Sequence, residues 1–137
     1  MVMVEKALIF AAKAHEGSFR KGTNIPYILH PMEAGAIAVS ITSDEEVIAA
    51  AILHDTLEDT PVTEDVIKNE FGDEVLRLIK SDSENKREDL PPEQTWKIRK
   101  QETIDYLSYK ADEKEKIIAI ADKLSNIRAI YRDYANI

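Results

Sequence analysis

Apolar residues along this chain recur at helical rather than strand spacing. Val4, Ala7, Leu8, Ala11 and Ala12 fall three or four apart, which predicts a first helix from about Val4 to His15. Residues 17–29, holding Gly22, Asn24 and Pro26, read as a connector. Pro31 suits the first turn of a second helix that carries Ala34, Ile37, Ala38 and Ile41. Ser43, with Glu46 three residues on, forms a capping box that starts a third helix, and Pro61 is expected to stop it. Thr63 can cap a short fourth helix ended by Gly72, and Asp73 to Lys80 makes a further one. Residues 81–93 (SDSENKREDLPPE) lack periodicity, contain Pro91-Pro92, and read as a mobile loop inside one domain. Helices from about Gln94 to Tyr109 and from about Asp112 to Tyr134 follow. With no repeat and no strand pattern, the predicted class is all-α, one domain over residues 1–137.

Composition narrows the setting. The 44% of hydrophobic residues, with only 4 Gly and 5 Pro, mark a globular chain rather than a disordered one. There is no cysteine, which excludes disulfides and thiolate zinc sites and fits a cytoplasmic protein. No apolar run approaches the roughly 18 residues of a membrane span, and the N-terminus has no signal-peptide pattern. A net charge of −8 argues against a DNA, RNA or anionic-membrane surface. A phosphorylated substrate would need a cation and local basic groups to offset that field.

The run from Ala49 to Asp59 (AAAILHDTLED) carries the chemistry. It is apolar up to His54, then offers Asp55, Glu58 and Asp59. Ionised carboxylates are costly to bury unless paired or bound to a cation. His54 and Glu58 are four apart, as are Asp55 and Asp59, so each pair would share a helical face. Adding His30 and Asp122 gives two imidazoles and two carboxylates, a donor set suited to Mn²⁺, Fe²⁺ or Zn²⁺ with positions left for water. The competing view is that His30 caps a helix and His54 is a satisfied core histidine. An HD dipeptide alone would favour that view.

The wider pattern reverses the balance. FRKGTNIPYILHP, residues 19–31, resembles the RK…PYxxHP motif of RelA/SpoT-type hydrolase domains. HDTLEDTP, residues 54–61, is similar to their HDxxEDT element, and DKLSN, residues 122–126, to their D(K/R)xxN element. The order and spacing are those of the family, over most of the chain. The whole resembles a small, stand-alone alarmone hydrolase of the HD superfamily, an all-α helical bundle.

The resemblance implies that His30, His54, Asp55 and Asp122 bind one metal, typically Mn²⁺, with Glu58 and Asp59 beside the attacking water. It implies that Arg20 and Lys21 face the guanine base or the phosphates, and that Tyr27 and Asn126 contact the nucleoside. For Tyr27, packing behind Pro26 is an equal alternative. His15 also matches a family position, although a contact with the connector suits it better than ligation. Trp96, Arg99 and Lys100 are expected mainly to pack or to be solvated, while Lys123 and Arg128 could offset the negative field. Glu64 and Asp65 suit the first turn of a helix. The implied activity is removal of the 3′-pyrophosphate of (p)ppGpp. The alternatives are hydrolysis of another phosphorylated nucleotide, or a nucleotide-binding module without turnover. Domains of this family usually continue with further helices beyond the Asn126 motif, and these appear absent. Ile127, Ile130, Tyr131 and Tyr134 form an apolar stripe there, from which a homodimer is expected.

Overall fold

The computed structural model describes residues 1–82 and 89–135, so the centre of the predicted loop, residues 83–88, lies outside the described residues. Eight α-helices and one π-helical turn are described: α1 (Val2–Ala14), α2 (Leu29–Ile41), α3 (Glu45–Leu53), α4 (Thr56–Asp59), α5 (Glu64–Phe71), α6 (Asp73–Ser81), α7 (Pro92–Asp105), the π turn (Tyr106–Lys110) and α8 (Glu113–Ala135). Among the described residues there is no strand. Phe19 and Pro26 form an isolated antiparallel bridge, which closes the connector into a small hairpin. Gly22 sits in that hairpin at φ 73°, a conformation that glycine adopts without steric cost.

α3 is the axis of the fold. Every residue from Val47 to Leu53 is buried, and the helix packs on α1, α2, α6 and α8. A helix that is apolar all round belongs in the interior. Its alanines at 49, 50 and 51 keep it thin, so its neighbours come close. On α2 the close approach is made by Gly35, where a Cβ would meet Ile52 Cγ1 at 2.6 Å. The all-α reading therefore holds among the described residues.

Three boundaries differ from the sequence reading. The N-cap of α3 is Asp44, not Ser43: its side chain accepts from the backbone N–H groups of Glu46 and Val47. A carboxylate makes a stronger, charge-assisted cap than a hydroxyl and complements the helix dipole. The third helix does not run to Pro61 but breaks at His54 and Asp55. The His54 ring bonds the Ala51 carbonyl (2.6 Å) and Thr56 Oγ1 donates to the Leu53 carbonyl (2.7 Å). Side chains that take helix carbonyls in this way compete with the regular ladder. The helix after the polar stretch ends at Asp105, and the chain widens into the π turn over Tyr106–Lys110. There Tyr106 Oη donates to Glu115, and Arg77 Nη1 reaches the same carboxyl at 2.7 Å, pinning the turn to α6 and α8. By contrast, Thr63 caps α5 through a bond from the Val66 N–H, and Gly72 ends it at φ 92°, as the sequence predicts.

Candidate metal centre

The break after α3 aims two adjacent side chains at one point. The N-terminal turn of α2 brings His30 to that point, and the middle of α8 brings Asp122. His30 Nε2 and His54 Nε2 stand 3.2 Å apart. Asp122 Oδ1 lies 3.3 Å from each of them, and Asp55 Oδ2 lies 3.4 Å from His30 Nε2 and 3.1 Å from His54 Nε2. Ligands held about 2.1 Å from one ion stand roughly 3.0–3.4 Å from each other. All five separations fall in or beside that range. The ligand atoms of His30, His54 and Asp122 lie within 4.8 Å of one another, and all three residues are buried.

The outer nitrogens fix which inner atoms carry lone pairs. His54 Nδ1 faces the Ala51 carbonyl, which only accepts, so Nδ1 holds the ring proton. His30 Nδ1 lies 2.8 Å from Ser125 Oγ, whose own proton goes to Glu33 Oε1 at 2.6 Å. Ser125 therefore accepts, and His30 Nδ1 also holds its proton. Both neutral rings consequently direct unshared pairs at each other across 3.2 Å, toward two carboxylates. No hydrogen bond forms between two lone pairs. The site needs either protons or a cation, and a divalent cation fits these donors.

Without a cation, protons fill the role. Burial opposes charge on both rings, but hydrogen bonds to Asp122 and Asp55 outweigh it, raising His30 above the ordinary imidazole value and His54 well above it. For Asp55 and Asp122 burial likewise works against the charge, and the bonds from His30 and His54 hold both carboxyls far below the usual carboxylate range.

The residues singled out from sequence fall into three places. Tyr27 donates to Asp55 Oδ2 (2.5 Å) and reaches Asp59 Oδ2 (3.4 Å), so it stands against the acidic cluster itself. Glu58, Asp59, Tyr27 and Asn126 all line a cavity of about 850 Å³ whose floor is the histidine–aspartate cluster. Asn126 Nδ2 also donates to Asp122 Oδ1 at 3.1 Å. Arg99, Lys100 and Lys123 line the same cavity. Arg20 does not line it. It borders a smaller cavity of about 210 Å³ with Arg128 and Arg132, and His30 is the wall between the two. Lys21 is exposed and borders neither cavity. His15 is buried with its ring 5.0 Å from that of Tyr27, and Trp96 is exposed. Glu64 pairs with Lys80 at 3.2 Å on the surface.

Sequence reasoning missed Glu33, Ser125 and Asp82. Asp82 follows α6 at the cavity wall, where burial and the charge of Asp122 push its carboxyl up to about 8. Nothing local marks it, because its proximity to Asp122 comes from how α6 and α8 pack. Ser125 could have been flagged, since it sits three residues after Asp122 on a predicted helix. Glu33 could also have been flagged, three residues after His30.

A model of the HD domain matches residues 7–136. The protein named GTP pyrophosphokinase rsh of Brucella ovis is 32% identical over 128 residues, covering 93% of this chain and 17% of that protein. The guanosine-3′,5′-bis(diphosphate) 3′-pyrophosphohydrolase of Haemophilus influenzae is 33% identical over 127 residues, covering 89% of this chain and 18% of that protein. The chain thus spans less than a fifth of these relatives. Among solved structures, a metazoan orthologue of SpoT described as hydrolysing ppGpp superposes with a TM-score of 0.79 at 29% identity, over 93% of this chain and 70% of that one. The chain belongs to the HD-domain family and is homologous to the RelA/SpoT-type proteins.

The proton account has a measurable consequence. Because both folded imidazole values are raised, their stabilisation is fully present below the unfolded value of about 6.5 and is lost as pH rises through the folded values. Asp82, protonated in the fold up to about 8, acts in the same direction: the folded chain again holds more protons than the unfolded one. Thermal denaturation of the metal-free protein should show Tm falling over the range from about pH 6.5 upward. Saturating Mn²⁺ should raise Tm by more at the alkaline end of that range than at the acid end. An increment independent of pH would contradict proton–metal exchange at the histidines.

Proposed function

We propose that this member of the HD-domain family is a metal-dependent phosphohydrolase that removes the 3′-pyrophosphate of (p)ppGpp, giving GDP or GTP and pyrophosphate. The observation that carries this reading is the pair of inward-facing imidazole lone pairs beside two carboxylates, on the floor of a cavity whose lining includes Arg99, Lys100 and Lys123. The name of the Haemophilus influenzae relative and the description of the metazoan structure point to the same reaction.

His30, His54, Asp55 and Asp122 are the proposed ligands, and Mn²⁺ the proposed ion, since two nitrogen and two oxygen donors make a borderline-hard set. A divalent ion held there supplies Lewis acidity to water and to a phosphoryl oxygen. Water adds to the phosphorus bonded to the 3′ oxygen, and the bond between them breaks. Glu58 and Asp59 stand at the cavity wall beside the ligand pair and are the proposed acceptors of the water proton. Asp59 shares the Tyr27 hydroxyl with Asp55, which ties the proton acceptor to the ligand in one arrangement. Asn126 faces the same cavity and holds Asp122 in place, a second duty beside the nucleoside contact proposed for it. Lys100 and Lys123 supply local positive charge against the net −8 of the chain. Arg20, in the smaller cavity behind His30, is proposed to meet the guanine base by stacking and forked donation, and Lys21, exposed next to it in sequence, is proposed to face the base or the phosphates.

Among the described residues no helix is long and apolar enough to cross a membrane, and the protein is proposed to act in the cytoplasm. We also propose a homodimer through the end of α8, where Ile127, Ile130 and Tyr131 are 61%, 56% and 77% exposed. The side chain of Tyr134, counted in the same stripe, lies outside the described residues. Sedimentation should show a species of twice the chain mass, and a monomer at high concentration would contradict it.

The catalytic and binding roles separate in steady-state kinetics with guanosine tetraphosphate. Glu58→Gln should leave KM and metal content unchanged and lower kcat by about two to four orders of magnitude, the usual worth of positioned proton transfer. Arg20→Ala should raise KM with little change in kcat, because it removes binding common to ground and transition states. Near-normal kcat in Glu58→Gln would remove its role. Unchanged KM in Arg20→Ala would remove the guanine contact and with it the alarmone as substrate.

A further inference from the structure

We infer that Glu33 and Ser125 form a relay that sets the ligand strength of His30, so that metal affinity in this protein is tuned from the surface of α2. The inference rests on the proposed metal ligands and adds two residues to them. Ser125 lies on α8 one turn from Asp122 and is 1% exposed, so its hydroxyl must find partners inside the protein. It finds two. Its proton goes to Glu33 Oε1 at 2.6 Å, and its oxygen faces His30 Nδ1 at 2.8 Å. A carboxylate in this position only accepts, so the direction of both bonds is fixed from Glu33 inward.

Two physical effects follow. The His30 proton is kept on Nδ1, which leaves Nε2 as the donor atom facing His54 and Asp122. Negative charge at Glu33, passed through a polarised hydroxyl, also makes that Nε2 more basic and so a better ligand. Among the described residues His54 has no equivalent relay: its outer nitrogen meets the Ala51 carbonyl. The two histidines are therefore unequal, and the ionisable control acts on one of them. The outer end of the relay is partly exposed, with the Glu33 side chain 37% accessible and its Oε2 3.7 Å from Arg128 Nη1. The bland alternative is that Glu33 is an ordinary surface carboxylate and Ser125 a small residue chosen to let α2 and α8 pack. On that view their substitutions change packing and act separately.

Mn²⁺ affinity, read by competition with a chromophoric chelator on the purified full chain, distinguishes the two. Ser125→Ala should weaken binding about 10- to 100-fold, the usual effect of removing a partner behind a ligand, and Ser125→Thr should restore it. Glu33→Ala should lose part of the same affinity. Because the links act in series, the double variant should bind no more weakly than Ser125→Ala alone. The metal-free Ser125→Ala variant should melt below wild type, because the buried His30 Nδ1–H loses its acceptor, and Ser125→Thr should recover that loss. Wild-type affinity in Ser125→Ala, or losses that multiply in the double variant, would overturn the relay. Glu33→Ala, at a partly exposed position, carries the test if Ser125→Ala fails to fold. His54→Ala, measured alongside, keeps the premise separate: wild-type affinity there would overturn the ligand set itself, and the relay with it. Loss of affinity in His54→Ala beside wild-type affinity in Ser125→Ala and Glu33→Ala would overturn the relay alone.

Discussion

Two imidazole nitrogens held 3.2 Å apart, each with its ring proton committed on the far side, are the constraint on which the rest of this molecule turns. Lone pairs do not bond to each other, and two flanking carboxylates make the point between them strongly attractive to positive charge. The fold spends much of its packing on keeping that arrangement. α2 and α8 lie against each other and against α3, so that a histidine from the first, an aspartate from the second and the break at the end of the third meet.

That meeting depends on thin helices. Ala49, Ala50 and Ala51 let α3 be enclosed on all sides, and Gly35 brings α2 within reach of Ile52. Larger side chains at these positions would hold the elements apart and widen the separations at the centre. The break at His54 and Asp55 is of equal weight. There His54 and Thr56 take the Ala51 and Leu53 carbonyls, the regular helix stops, and His54 Nε2 and Asp55 Oδ2 stand 3.1 Å apart.

Much of this was legible in the sequence. The apolar periods gave the helices within a few residues, because amphipathic spacing and caps such as Thr63 and Gly72 are local signals. The four clustered donors were legible because histidines and aspartates next to apolar runs stand out. The break was not, since it comes from side chains taking carbonyls within an otherwise helical run. Asp82 is not legible either, because only tertiary packing brings the end of α6 against α8. The motif marks Tyr27 for the cavity it lines, but gives no sign that its hydroxyl stands against Asp55 and Asp59. The motif places Arg20 with the substrate but does not show that it borders a second cavity, on the other side of His30 from the carboxylates.

Anomalous diffraction from crystals of the Mn²⁺-loaded protein tests the central claim most directly. The account predicts one strong peak between the two rings, roughly 2.0–2.3 Å from His30 Nε2, His54 Nε2 and oxygens of Asp55 and Asp122. A peak held by carboxylates alone, away from the histidine pair, would contradict it.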